Sequence, residues 1–430
     1  MRAARVLLLE AAGPESGAIA EAAAASGHQV HAATDPATYS TYGDGLRQIL
    51  SGCLLADFFH LDRALEEVVG YARRIGADAV LTANEYLTPL LAQACAELGL
   101  PGNDPVRAAA ARDKAAMSEA FARYGVAAPR TRVLGSEDEL LLCAAGEITL
   151  PCVVKPADGA GSAGVTVVTD LDRAADAWRA VARSARGMYG LPPDPRVLVQ
   201  EYVEGTEYSV ESITQHGTTT HLCVTRKTVT QGAYRVEVGH SLPVALPYPV
   251  ERALYREVER AIAAVGIRNG ASHTEVVVGG NGRCAVIEIA ARLGAGHIGV
   301  LLAHALGIDP WTALLDTALG RPAHLTPTRR AYASVRFLTS PRTGRLTAVT
   351  GLPRTGPGVP AVHLRTAVGQ TVGPAQTNRG RLGHFIVTGP DPAAVERQAE
   401  QILARITVVV DPDSASNHSP GPEREVISAQ

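Results

Sequence analysis

The chain has 430 residues, of which 46% are hydrophobic and 19% charged, and its formal net charge is −3. At roughly 150 residues per domain, this length predicts two to four packed units, and the apolar content excludes a globally disordered chain. A slightly acidic chain lacks the basic excess that is typical of proteins binding the nucleic-acid backbone, so we expect no nucleic-acid partner.

No apolar run approaches the roughly 18 residues that a membrane-spanning helix needs, so we expect no membrane partner either. The cysteines are scattered and form no CxxC pair, which predicts buried thiols in a reducing compartment and hence a cytoplasmic location. They stand at positions 53, 95, 143, 152, 223 and 284.

Short apolar strands alternate with helices in the first quarter of the chain. Strands are predicted over 4–9, 28–33 and 79–82, and helices over 16–26, 62–75 and 87–98. This alternation predicts a small parallel α/β sheet, and we assign residues 1–108 to a Rossmann-like N-terminal domain.

The middle of the chain mixes helices with paired strands. Helices are predicted over 113–124, 172–185, 250–265, 296–306 and 310–319, a surface loop over 191–195, and strands over 151–155, 165–169, 197–201, 208–213, 272–278 and 283–289. Gly279-Gly280-Asn281-Gly282 between the last two strands is a strong hairpin signal.

Strand-like segments recur near the C-terminus. Strands are predicted over 332–338, 361–365 and 384–387, with a helix over 391–405. We therefore expect a second domain over 109–327, with a lid over about 113–200, then a β-rich subdomain over 328–410. Residues 411–430 are rich in Ser, Pro and Glu and are expected to form a disordered tail.

A GxGxxG pattern is formed by Gly159, Gly161 and Gly164. A strand rather than a helix follows it, and no Gly-Lys-Ser/Thr is present, so it is neither a dinucleotide-binding turn nor a Walker A loop. The pattern predicts a strand–loop–strand flap whose backbone N–H groups can close over phosphates. Lys155 precedes the loop on an apolar strand, where a buried lysine needs an anionic partner. The alternative interpretation is a long glycine hairpin without a ligand.

Only three of the 40 basic residues are lysines: Lys114, Lys155 and Lys227. A lysine retained in an arginine-rich chain suits a phosphate oxygen, for which it provides a compact point charge. Lys114 begins a predicted helix, where a solvated helix face is the competing interpretation.

Glu275 and Glu288 flank the predicted hairpin turn. If Val278 pairs with Arg283, the two glutamates are diagonal neighbours on one face, and His273 faces Glu288. Two carboxylates beside phosphate oxygens form the usual environment of Mg²⁺. The alternative is a pair of glutamates on an exposed sheet face.

Two further segments could complete such a site. Arg292 follows Glu288 and could hold a substrate carboxylate, although a structural ion pair explains it as well. Residues 200–207 leave one strand and enter another, and such a bend can offer backbone groups to an adenine edge. An ordinary polar turn is the other interpretation of that bend.

Taken in order, these motifs resemble the ATP-grasp superfamily, in particular L-amino-acid (dipeptide) ligases and related carboxylate–amine ligases. The resemblance depends on Val-Val-Lys-Pro (153–156), the glycine loop, Val-Gln-Glu-Tyr-Val-Glu-Gly-Thr-Glu (199–207) and Glu-Ile-Ala-Ala-Arg (288–292). Further similarities lie at 237–243, 292–296 and 335–338. The pattern departs from the family at Ala290, where many members carry Asn, which puts a second metal in doubt.

The resemblance implies an ATP-grasp fold and an ADP-forming ligase that joins a carboxylate and an amine, both expected to be amino acids or related small molecules, and it leaves a homodimer open. It implies ATP and Mg²⁺ (or Mn²⁺) as cofactors. Arg292 and Lys155 would be catalytic. ATP would be bound by Lys114, Lys155, Gly159, Gly161, Ser162, Gly164, Gln200, Glu201, Val203 and Glu207, with Val203 and Glu201 at adenine and Glu207 at the ribose. Metal would be held by Glu275 and Glu288, and substrate by Glu237, His240, Arg292 and Gly294.

Two other functions remain open from the sequence. A biotin-carboxylase-like enzyme would share the nucleotide-binding fold, and its activity would depend on bicarbonate and biotin. A non-catalytic nucleotide-binding module would release no ADP.

Overall fold

The computed structural model describes residues 3–184 and 194–412. Three predicted features therefore lie partly outside the described residues: the end of the helix over 172–185, residues 191–193 of the loop, and residues 413–430 of the tail. Among the described residues, no single helix is long and apolar enough to cross a membrane, and one helix pair meets the criterion only when joined across a 105° bend.

The N-terminal sheet is parallel, as predicted, and has the strand order β3-β2-β1-β4. Its elements are β1 (Arg5–Leu9), α1 (Pro14–Ala25), β2 (Gln29–Thr34), α2 (Pro36–Ser40), α3 (Asp44–Ile49), β3 (Leu50–Leu55), α4 (Leu61–Ile75), β4 (Ala79–Leu81) and α5 (Thr88–Leu98). The prediction missed β3, which lies at the sheet edge and is only partly buried, so it lacks a continuous apolar run.

A four-stranded antiparallel sheet of order β5-β8-β6-β7 follows. Its region contains α6 (Lys114–Tyr124), β5 (Thr131–Leu134), α7 (Glu137–Gly146), β6 (Cys152–Pro156), β7 (Thr166–Val168), α8 (Ala174–Ser184) and β8 (Val197–Glu201). Asp113 caps the first turn of α6, and Gly125 ends that helix with a left-handed φ of 64°. The antiparallel pairing of β6 with β7 confirms the predicted strand–glycine loop–strand arrangement.

The central sheet has eight strands in the order β13-β12-β9-β10-β11-β14-β18-β16. Its first part contains β9 (Thr206–Gln215), β10 (Thr218–Val229), β11 (Glu237–Leu242), α9 (Tyr248–Ala264), β12 (Gly270–Val278), β13 (Cys284–Ala290), α10 (Ile298–Leu306) and α11 (Pro310–Ala318). Helix α9 packs on one face through Leu254, Val258 and Ala261, and α10 covers the other face through Leu301 and Leu302.

Three of the last strands extend this same sheet, and the other three form a small sheet of order β17-β15-β19. The elements are β14 (Tyr332–Leu338), β15 (Gly344–Thr350), β16 (Ala361–Leu364), β17 (Thr371–Val372), β18 (Gly383–Gly389), α12 (Pro392–Arg405) and β19 (Thr407–Asp411). Strand β19 was not predicted, and it includes Asp411, the residue at which the tail was predicted to begin. Because the central sheet runs through the predicted boundary near residue 328, the division into domains stays a prediction.

Candidate functional site

A cleft of about 710 Å³ lies where the four-stranded sheet β5-β8-β6-β7, called the lid sheet from here on, faces the central sheet. Its walls come from four regions: β6–β8 and the glycine loop, the central strands β9–β13, Glu85 of the N-terminal region, and the C-terminal residues Arg336 and Asn378. Most of the predicted site residues line it. Gly164 and Gly294 are not part of this wall.

Lys155 and Lys114 project into the middle of the cleft. Lys155 is 4% exposed and donates from Nζ to Gln200 Oε1 at 2.8 Å. Burial, helped by nearby Lys114, lowers the pKa of Lys155 to about 8, although Glu288 acts in the opposite direction. Lys114 is 6% exposed and donates to the carbonyl of Gly159 at 2.6 Å. Two buried ammonium groups therefore flank the glycine loop, as a phosphate site requires.

The glycine loop has the backbone freedom that its sequence predicts. Gly161 and Ser162 adopt left-handed φ values of 64° and 62°. A Cβ atom at Gly159 would lie 2.4 Å from Pro156 Cγ, so a larger residue does not fit there. The carbonyl of Gly161 accepts from Asn378 N–H at 3.1 Å, which holds the loop against the C-terminal region.

One end of the cleft is an apolar slot that leads to the bend after β8. Its apolar walls are Val153, Val167, Val277 and Ile287. At the bend, no acceptor among the described residues takes the N–H of Val203. The N–H of Glu201 donates to the carbonyl of Arg130 at 2.9 Å, so the predicted contact of Glu201 with adenine cannot use this N–H. Apolar walls beside the N–H of Val203 can receive a nucleobase, and the adenine contact of Val203 stays a prediction.

Glu275 and Glu288 are directly opposite each other in the β12–β13 ladder. The predicted diagonal register is wrong, because a β-bulge after Glu275 pairs Val276 with Val286 and leaves one extra residue on β13. Val278 pairs with Cys284, and His273 pairs with Ala290 instead of facing Glu288. The bulge brings the two carboxylates closer than we expected.

Each of these carboxylates is paired with a lysine in the structure. Glu288 Oε1 lies 2.9 Å from Lys114 Nζ, and Glu275 Oε1 lies 2.5 Å from Lys227 Nζ. Burial alone would raise the pKa of Glu275, but Lys227 and His273 outweigh it and hold the carboxyl ionised. Two opposed carboxylates beside the glycine loop fit Mg²⁺ or Mn²⁺, which prefer such oxygen ligands. The side chain of Ala290 has no ligand atom, and the number of ions stays a prediction.

Glu237 and His240 lie together because a bulge in β11, where Val238 is the extra residue, changes the register opposite β10. Arg381 Nη2 and Asn378 Nδ2 donate to Glu237 Oε2 at 2.8 and 3.0 Å. Burial would raise the pKa of Glu237, but Lys227 and the other cations hold it well below its usual range. His240 Nδ1 lies 3.0 Å from the carbonyl of Gly296, and its buried Nε2 has no hydrogen-bond partner among the described residues. An ionised carboxylate with an unsatisfied imidazole nitrogen can receive a substrate amine.

Arg292 lies in the same cleft but is paired with Glu85. Its Nε donates to Glu85 Oε2 at 3.0 Å, its Nη2 contacts the same oxygen, and its Nη1 donates to the carbonyl of Leu293. The ion pair that the sequence left open is therefore present. Burial would lower the pKa of Arg292, but Glu85 raises it, so the guanidinium stays charged beside the cleft.

Gly294 lies beneath the cleft, where a Cβ atom would come within 2.7 Å of His273 Nδ1 and 2.9 Å of Glu211 Oε2. This close packing leaves no room for a side chain at position 294. Glu211 itself is fully buried and accepts from His273 at 3.0 Å, which raises the pKa of His273 to about 9 against the effect of burial.

Lys227 is the site residue that the sequence prediction left without a role. Its Nζ lies 2.9 Å from Glu207, 2.9 Å from Glu237 and 2.5 Å from Glu275. Burial would lower the pKa of Lys227, but the three carboxylates raise it well above its ordinary value. The rarity of lysine in the chain could have indicated a role for Lys227, but the prediction used it only for Lys114 and Lys155.

Models of known protein families match most of the chain. Residues 20–102 match the family described as ATP-grasp N-terminal domain, residues 148–300 match ATP-grasp domain, and residues 336–411 match L-amino acid ligase C-terminal domain 2. The chain therefore belongs to the ATP-grasp superfamily, as its motifs predicted.

Individual relatives show which members of the superfamily the chain resembles. The chain is 30% identical over 302 residues to alanine–anticapsin ligase of Bacillus subtilis (strain 168), a match that covers 63% of each chain. It is 30% identical over 254 residues to dapdiamide A synthase of Enterobacter agglomerans, covering 55% of this chain and 57% of that protein. The crystal structure of L-amino acid ligase from Bacillus licheniformis superposes with a TM-score of 0.78 at 20% identity, covering 96% of this chain and 100% of that one. This last likeness establishes the fold.

Proposed function

We propose that the protein is an ATP-dependent carboxylate–amine ligase that forms an amide bond between two amino acids, or between an amino acid and a related small molecule. The observation that carries the proposal is the convergence of two buried lysines, a glycine loop and the opposed pair Glu275 and Glu288 in one cleft with Arg292. The family membership and the relatives named above support the same reaction class.

The proposed reaction has two steps. A carboxylate oxygen of the first substrate attacks the γ-phosphorus of ATP, so the bond to ADP breaks and an acyl-phosphate forms. The amine of the second substrate then attacks the acyl carbon, the C–N bond forms, and inorganic phosphate leaves with one oxygen of the original carboxylate. The neutral amine gives up one proton, which the departing phosphate takes up, and keeps the other as the N–H of the amide.

The residues of the cleft divide this work by their chemistry. Lys155 and Lys114 place positive charge where phosphate charge develops, and the glycine loop excludes water from the phosphates. When bound, Mg²⁺ or Mn²⁺ would be held by Glu275 and Glu288 and would neutralise phosphate charge. Arg292 would hold the donor carboxylate, for which it must share its guanidinium with Glu85.

The second substrate is proposed to bind at Glu237 and His240. The Glu237 carboxylate attracts an ammonium group, and Nε2 of His240 lies 3.4 Å from Glu237 Oε2, so both can contact one amine. Amino acids are proposed for both substrates because the similar ligases carry amino-acid names. A cytoplasmic location is proposed because all six cysteines are free thiols.

The direct experiment is a screen of amino-acid pairs with purified protein, ATP and Mg²⁺, measuring ADP and the mass of the products. We expect ADP formation that depends on both partners, together with a product of the summed masses less one water. ADP formation that requires bicarbonate and biotin would indicate the carboxylase alternative. The absence of ADP with every pair would favour a non-catalytic nucleotide-binding module.

A further inference from the structure

The turn around Asn378 contacts the glycine loop and Glu237 at the same time. The backbone N–H of Asn378 donates to the carbonyl of Gly161 at 3.1 Å. Its side-chain Oδ1 accepts from Glu237 N–H at 3.1 Å, and its Nδ2 donates to Glu237 Oε2 at 3.0 Å. One residue thus joins the loop over the phosphate site to the residue assigned to the amine.

The turn itself is firmly attached to β11. Arg381 donates from Nε to the carbonyl of Glu237 and from Nη2 to its Oε2, both at 2.8 Å. Its guanidinium also lies 3.8 Å over the ring of Phe337. Arg365 donates to the carbonyl of Arg381 at 2.5 Å, which fixes the end of the turn. The position of Asn378 is therefore set by Glu237 and its neighbours.

The tip of the glycine loop, residues 160–164, has few other attachments. Its remaining backbone hydrogen bonds are internal, from Ala163 N–H to Ala160 and from Val165 N–H to Ser162. Among the described residues, the bond from Asn378 is the one backbone hydrogen bond that joins this tip to another segment. Its loss would leave the tip without an anchor.

We propose that Asn378 is a positioning residue that ties closure of the glycine loop to the seating of Glu237. The proposal rests on the proposed function, which assigns Glu237 to the amine and the loop to the phosphates. A closed loop keeps water from the acyl-phosphate until the amine attacks. Loosening this latch should therefore increase ADP formation that yields no amide.

Two substitutions at the same position separate the two roles of Asn378. Asn378→Pro removes both the side-chain bonds and the backbone N–H, whereas Asn378→Ala removes the side-chain bonds alone. Proline fits here because Asn378 is the first residue of a 3₁₀ turn and Thr377 before it is extended, with φ −143° and ψ 168°. The difference between the two variants therefore reports the hydrogen bond to Gly161.

The primary readout is hydrogen–deuterium exchange of the loop peptide over residues 157–166 in the full chain without ligands. Loss of one hydrogen bond of about 1 kcal/mol predicts about fivefold faster exchange at the tip in Asn378→Pro than in Asn378→Ala. Equal exchange in these two variants would overturn the proposal. This measurement needs no turnover, so its outcome is independent of whether the proposed reaction is correct.

The second readout is the ratio of ADP to amide product, which should rise above one in Asn378→Pro and less in Asn378→Ala. A ratio of one in both variants would contradict the proposed link to the chemistry. If Asn378→Pro does not fold, the double variant Asn378→Ala with Arg381→Gln replaces it, because it removes all four hydrogen bonds between these two side chains and Glu237 and keeps the N–H of Asn378. Loop exchange that stays at the wild-type rate in this double variant would equally overturn the proposal.

Discussion

Lys227 holds three carboxylates of the cleft within 2.9 Å of its ammonium group: Glu207, Glu237 and Glu275. Without that charge, three buried or half-buried anions would face one another. We predict that Lys227→Met lowers the free energy of unfolding by about 3–5 kcal/mol, the usual cost of removing one partner of a buried ion pair. Urea denaturation at neutral pH measures this.

The matched control for Lys227 is Arg63→Ala, which removes an exposed ion pair to Glu67 four residues away on one helix. Its expected effect is below about 0.5 kcal/mol. A Lys227→Met variant as stable as this control would show that the three carboxylates are compensated in another way.

We also predict the effect of replacing Lys155 on activity. Lys155→Ala removes a buried positive charge from the phosphate end of the cleft, so ADP formation should fall by about 10²–10³-fold. The control is Arg132→Ala, an exposed residue on the same lid sheet that pairs with Glu147. Initial rates of ADP release, with circular dichroism to check folding, test the assignment. Turnover close to wild type in Lys155→Ala would refute it.

The roles of single residues could be predicted where neighbouring residues in the sequence form a recognisable pattern. Lys155 was predicted because a lysine on an apolar strand beside a glycine loop is unusual. Lys227 lies near the end of β10, where the consecutive residues 226–229 line the cleft, so this part of the strand lacks the alternation that reveals a surface strand. Glu85 meets Arg292 from 207 positions away, and no local pattern can show such a contact.

The β12–β13 hairpin shows the same limit for an element. Its strands and turn could be predicted but its bulge could not, since no glycine or proline marks the extra residue. The bulge determines that Glu275 and Glu288 are direct neighbours. Seven strands were also missed, and each is short or only partly buried along part of its length: β3, β5, β10, β11, β15, β17 and β19.

The geometry of this hairpin predicts a metal requirement. Glu288→Gln should abolish activity and weaken binding of Mn²⁺ in the presence of ATP, because a neutral amide replaces one of two carboxylate ligands. Electron paramagnetic resonance titration of Mn²⁺ measures the binding directly. Glu259→Gln, at an exposed position on α9, serves as the control. Wild-type Mn²⁺ affinity in Glu288→Gln would show that the carboxylate is structural.

Strands β16 and β18 and the start of α10 bring three histidines together. The ring centroids of His297 and His384 are 3.9 Å apart, and those of His363 and His384 are 5.7 Å apart. Burial, reinforced by neighbouring histidines, lowers the pKa values of His297 and His384 to about 4. These rings are therefore neutral in the folded protein at pH 7.

This cluster predicts a loss of stability in mild acid. In the unfolded chain these histidines bind protons near pH 6.5, whereas in the folded chain His297 and His384 bind them only near pH 4. The contribution of these two rings to stability is therefore complete above about pH 6.5 and declines as the pH falls towards 4. His384→Gln should make this decline shallower, because one titrating ring is removed and His297 loses a repulsive neighbour. Urea midpoints at pH 7 and pH 5 for both proteins test this, and identical pH dependence would contradict it.

At the scale of the whole molecule, the central sheet unites the parts of the cleft. Its strands from β13 to β18 carry the residues that we propose to bind the metal and the amine, together with the C-terminal residues of the cleft. The sequence predicted the ATP-grasp fold because its motifs occur in the family order. It did not predict that the C-terminal strands continue the central sheet, because strand partners far apart in the chain leave no local signal.

In the proposed reaction, the amide forms through an acyl-phosphate. The most direct measurement uses a donor amino acid labelled with ¹⁸O in its carboxylate, with ATP, Mg²⁺ and the acceptor amine, followed by mass spectrometry of the released phosphate. The proposed mechanism predicts one ¹⁸O in each phosphate, with ADP and amide formed in equal amounts. Unlabelled phosphate, or the release of AMP and pyrophosphate, would contradict it.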